Sequence, residues 1–138
     1  MSIVAAHPEP TVRRQVFPHW SIKIPAAFEQ TFVHEDGYWH AWDDRRSVSL
    51  TSLVIADDRK RPVPSRRILE QFPAGPGGRV EMPTGLGGWA VNVAPERPAR
   101  ASRAISGLIA VDGGVLIATV TAEDLAWATG VWRSIRRS

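Results

Sequence analysis

The sequence predicts an α+β domain, one antiparallel β-sheet flanked by helices in an α/β/α sandwich. Three observations predict it. Short runs of alternating apolar and polar residues recur from residue 19 onward, the period of half-buried strands. Asp-Gly pairs at Asp36-Gly37 and Asp112-Gly113 separate such runs where a tight hairpin needs positive φ angles. The final stretch changes to a helical period, with Leu125, Ala128, Trp132 and Ile135 on one stripe. At 138 residues, 43% hydrophobic and 22% charged, the chain has the length and composition for one buried core.

Residues 1–17 carry Pro8 and Pro10 without a sustained period and read as a loosely held N-terminal arm, leaving 18–138 as the domain. Trp20, Ile22 and Ile24 alternate with Ser21 and Lys23, so 19–24 is a strand that Pro25 stops. Residues 30–34 and 38–42 flank Glu35-Asp36-Gly37 and pair as a hairpin; 47–55 follows as a strand rich in β-branched and hydroxyl residues. Ser65 stands where it can cap a short helix over 66–72, with Ile68, Leu69 and Phe72 on its apolar stripe. Gly-rich turns then frame short strands at 79–82 and 89–93. Residues 101–111 and 115–120 form a hairpin around Asp112-Gly113-Gly114. Thr121 then opens a helix over about 122–136, with Asp124 in a capping-box-like position and Arg133, Arg136 and Arg137 in its last turn.

Composition excludes several classes of function. No run reaches the roughly 18 apolar residues of a membrane span, and the first residues lack the charged start of a signal peptide, so a cytoplasmic protein is expected. With no cysteine there is no disulfide framework, thiol nucleophile or thiolate-held metal. Of the 17 basic residues only Lys23 and Lys60 are lysine, a bias that GC-rich bacterial codons produce without functional pressure. A net charge of +3 is a weak footprint for nucleic acid, and the arginine pairs read as solvated faces in preference to a nucleic-acid surface.

Two stretches carry a family resemblance. Trp20-Ser-Ile-Lys-Ile-Pro25 is similar to the "aromatic-x-apolar-x-apolar-Pro" opening of the PsbP-like family, and Ala128-Thr-Gly-Val-Trp-Arg-Ser-Ile135 to its closing amphipathic helix. That family includes a photosystem II extrinsic subunit, a Ran-binding nuclear import factor and bacterial proteins of the DcrB type. The resemblance covers about 18–138 and implies an α/β/α sandwich and a mostly non-enzymatic role.

The densest cluster of reactive side chains runs from His34 through Glu35, Asp36, Tyr38, Trp39, His40, Trp42 and Asp43 to Asp44. A metal-dependent or hydrolytic enzyme would use this hairpin, provided the strand register brings its histidines to one face. A two-residue loop sets His40 opposite Val33 and sends the histidines to opposite faces. A three-residue loop sets His34 opposite Tyr38 on the face of His40. No metal or cofactor is expected, and no catalytic residue is assigned, because neither a nucleophile elbow nor a phosphate loop occurs.

Tyr38, His40 and Trp42 share one face of their strand and would be core under a helix or a binding patch if open, the core reading being favoured. The function expected is a non-catalytic binding or adaptor domain holding a protein or ligand, with Tyr38, His40, Trp42 and Trp89 as candidate binding residues. A homodimer through the edge of the 101–120 hairpin is a further expectation, since that hairpin has neither Lys nor Pro to protect it. Nucleic-acid binding through the arginine pairs is the remaining alternative.

Overall fold

The structure, a computed structural model, describes residues 9–33, 35, 37–93 and 102–138. In chain order the elements are β1 (Thr11–Phe17), β2 (Trp20–Pro25), β3 (Glu29–Val33), β4 (Tyr38–Trp42), β5 (Ser47–Val54), α1 (Ser65–Gln71) and β6 (Gly78–Arg79). Then come β7 (Gly87–Val93), β8 (Arg103–Val111), β9 (Gly114–Ala122), α2 (Leu125–Arg133) and β10 (Arg136–Arg137). They build a three-stranded sheet ordered β1-β2-β10 and a seven-stranded sheet ordered β3-β4-β5-β9-β8-β7-β6, all neighbours antiparallel.

The expected sandwich with helices on both sides of one sheet is therefore corrected to a mostly β fold. Strands take 52% and helices 14% of the described residues, and there are two sheets. One layer is the large sheet. The layer against its inner face is made jointly by the small sheet and α2, whose Trp20, Ile22, Ile24, Ala128, Val131 and Trp132, with Ile135 from the link between α2 and β10, share a core with Trp39, Leu50, Ile105, Leu116 and Val120. The helix is short because β9 runs on to Ala122 and because Arg136 and Arg137 pair with Ser21 and Trp20 as strand. Of the three arginines expected in its last turn, only Arg133 lies there.

Residues 11–17, read from the sequence as part of the arm, form β1 and pair with β2 from Thr11↔Pro25 to Phe17↔Trp20. Val12, Arg14 and Val16 do alternate there, but a charged residue on the inward row hides the period. The 101–120 hairpin expected at an edge is β8–β9, at the centre of the large sheet between β5 and β7. Its apolar residues on both faces are what a central strand buries: Ile105 and Ile109 against α2 and the small sheet, Leu108 and Ala110 on the other side.

That other side is covered at one end only. Helix α1 sets Ile68 on Leu108, Ala110 and Val115, with Trp89, Phe72 and Ile117 around them. No described element covers the same face over β3, β4 and β5. No helix among the described residues is long and apolar enough to cross a membrane.

Candidate functional site

On β4 the alternation assigns Trp39 and Ala41 to the core and leaves Tyr38, His40 and Trp42 half-buried on the uncovered face. The three rings follow one another along the strand. Tyr38 and His40 have ring centroids 6.2 Å apart at 40°, and His40 stacks on Trp42 at 4.9 Å and 28°. Hydroxyl residues flank them: Thr31 and Ser49 stand opposite His40 on either side, and Thr51 is opposite Tyr38. Burial without a charged partner at these register positions holds the His40 imidazole below its ordinary pKa, so the neutral ring is favoured.

The hairpin register differs from both expectations. Val33 pairs with Tyr38 and Thr31 with His40, so the connection is longer than either loop considered. His34 and Asp36 lie outside the described residues. Of the remaining members of the metal or enzyme hypothesis, His40 is stacked between Tyr38 and Trp42, and Asp43 is engaged by Arg46. Among the described residues no group of three or more His, Cys, Asp or Glu side chains comes together with the spacing of a metal site.

Trp89 does not join the row. It occupies the same cross-strand line as Tyr38, through Leu108, Ile117 and Thr51, but four strand spacings away, about 19 Å. There it lies half-buried beneath α1, its indole N–H donating to the Phe72 carbonyl at 2.8 Å. Its role is to seat the helix.

Beyond Trp42 the strip ends in an open depression of about 450 Å³ lined by Ala27, Glu29, Trp42, Asp43 and Asp44. Asp43 is spoken for. Its carboxylate accepts from Arg46 Nε at 2.9 Å and from the backbone amides of Arg45 and Arg46, closing the β4–β5 turn. Arg46 also reaches Glu9 at 2.5 and 2.8 Å, and its guanidinium stands 4.6 Å from the Trp127 ring centroid and 5.3 Å from that of Phe28. This node was missed in the sequence. Its one local signal was the i, i+3 spacing of Asp43 and Arg46; Glu9, Phe28 and Trp127 meet it only through the fold.

No family model matches the chain, and no curated protein does. A crystal structure of a protein from Bacteroides thetaiotaomicron is similar, with a TM-score of 0.58 and 9% identity, over 86% of this chain and 45% of that one. The chain thus spans less than half the length of that protein. At this identity the likeness shows the fold alone.

Proposed function

We infer that the chain is a non-catalytic binding domain that seats a protein partner on the uncovered face of its large sheet, at Tyr38, His40 and Trp42. The observation that carries this reading is the row of three half-buried rings on a face no described element covers. Aromatic side chains with a polar tip suit such a surface: they offer large apolar area, keep a hydrogen-bonding atom, and lose few rotamers when ordered. The stacking of His40 on Trp42 occupies one face of each ring and presents their edges along the strip. Thr31, Ser49 and Thr51 supply hydroxyls at the rim, and Glu29 and Asp44 at the end of the strip suit a basic side chain of the partner.

The experiment compares affinity capture from extract of the native cell by the unaltered chain and by folded His40→Ala and Trp42→Ala variants. A protein held by the first and lost by both variants supports the reading. An identical set of captured proteins in all three overturns it.

A further inference from the structure

On the opposite side of the molecule the end of α2 meets the outward face of the small sheet across an open cleft of about 930 Å³. Its lining includes five cationic residues, Arg13 of β1, Lys23 of β2, Arg133 of α2, and Arg136 and Arg137 of β10, and no Asp or Glu. The pairings Arg13↔Lys23 and Arg136↔Ser21 set Arg13, Lys23 and Arg136 on one outward sheet face, while Arg137, opposite Trp20, belongs to the alternate row.

Side chains among the described residues neutralise little of this charge. Arg13 is oriented by bonds from its guanidinium to Ser21 Oγ at 3.1 Å and to the Ser134 carbonyl at 2.9 Å, which satisfies the carbonyl end of α2. A helix end carries roughly half an elementary charge, so it offsets a fraction of one cation. Arg133 has a distant exposed partner in Glu81 at 3.6 Å, and Arg137 lies over the Trp20 ring. The Lys23 and Arg136 side chains have no ion pair among the described residues. Partial burial, and next the charge of Arg136, hold the Arg13 guanidinium below its ordinary pKa, as like charges gathered in one place require.

We propose that this cleft is a binding site for a small polyanion carrying two or more phosphate groups. Its volume is within the range of about 300–1,000 Å³ for small-molecule sites. The cations converge on one concavity and do not extend as a stripe. Elsewhere among the described residues Arg46 is paired with Glu9 and Asp43, and Arg61 with Asp57, which draws those two cations away from a continuous positive surface of the kind a nucleic acid would follow.

Inorganic tripolyphosphate is the probe, read by thermal unfolding and by titration calorimetry at low salt. It should raise the Tm of the unaltered chain in a concentration-dependent way. A Lys23→Gln/Arg136→Gln variant, which removes charge without breaking an ion pair of the fold, should bind about tenfold or more weakly. Arg66→Gln/Arg67→Gln on α1 should bind like the unaltered chain. The proposal is overturned if tripolyphosphate does no more than sodium chloride at matched ionic strength, or if the cleft variant keeps full affinity. Tighter binding of a single-stranded oligonucleotide than of tripolyphosphate, lost in the same cleft variant, overturns it in favour of a nucleic-acid surface.

Discussion

The indole of Trp132 lies directly on Gly107. A Cβ built at residue 107 would stand 2.6 Å from Cζ3 and 2.8 Å from Cζ2 of that ring, well inside van der Waals contact. The glycine interrupts the apolar row of β8 so that the largest side chain of α2 can reach the sheet, where its N–H donates to the Glu81 carbonyl at 3.0 Å. Gly107→Ala should therefore destabilise by about 1–3 kcal/mol, the range for overpacked cores. Trp132→Ala should cost about 3–5 kcal/mol. Because one ring mediates both, the cost of Gly107→Ala should fall in the Trp132→Ala background. Chemical denaturation of the four proteins measures this; additive effects would show that ring and glycine are not in contact in solution.

Asp112 caps α1 from another part of the chain. Its carboxylate accepts the Ser65 amide at 2.9 Å, while the residue before the helix, Pro64, offers no side-chain cap. The next residue, Gly113, has φ of 82° and exchanges backbone bonds with Ile55 and Val63, so the β8–β9 turn holds both the helix and the loop leading to it. Asp112→Ala should cost about 1 kcal/mol, as lost N-caps do, and Ser65→Ala much less. The reverse order would restore Ser65 as the cap, which is what its position in the sequence suggests.

The sequence made the local elements legible and left their assembly hidden. Gly37 and Asp112-Gly113 stand in real hairpin turns, and Ala128 and Trp132 of the expected stripe are buried on the helix, whereas Leu125 is half-buried and Ile135 is buried beyond the helix end. What escaped depends on partners distant in the chain. Arg136 and Arg137 look like helix-end cations until Ser21 and Trp20 are beside them, and Arg14 breaks a period that only the pairing with Ile22 reveals. The candidate site divides likewise. Periodicity put Tyr38, His40 and Trp42 on one face, but whether that face is covered is decided by where α1 docks, and α1 docks on β8 and not on β4. The basic cleft had no sequence signature, since its cations come from residues 13, 23, 133, 136 and 137.

Arg46 should support the fold in a manner that acid removes. A bond from Arg46 holds the Glu9 carboxyl below its ordinary value of 4.5. Burial pushes Asp43 up, but bonds from the Arg46 side chain and from the Arg45 and Arg46 amides outweigh it and leave Asp43 below 3.8. A carboxyl whose pKa is lowered on folding stabilises above its unfolded value and loses that contribution as the pH falls through its folded value. Arg46→Gln should therefore be less stable than the unaltered chain at neutral pH, with the gap closing below about pH 4. A gap that stays constant from pH 7 to pH 3 would mean that Arg46 acts only through its packing on Phe28 and Trp127.

His40 should add a second loss of stability on acidification, nearer neutrality, and link it to partner binding. Its imidazole is held below 6.5 by burial in the ring row, so the folded chain binds that proton less readily than the unfolded one. The sign follows from linkage: the contribution is present above 6.5 and is lost as the pH falls through the lowered folded value, where a charge must be accommodated between Tyr38 and Trp42. Stability of the unaltered chain should thus decline below about pH 6.5, and His40→Gln, which cannot titrate, should lose that part of the decline. The same protonation would place a cation in the middle of the proposed docking strip, with hydroxyls and no carboxylate at the flanking register positions Thr31 and Ser49. A partner seated there should therefore bind more weakly as the pH drops toward 5.5, and the dependence should vanish in His40→Gln. Binding that keeps its strength across that interval in the unaltered chain would place the partner away from His40.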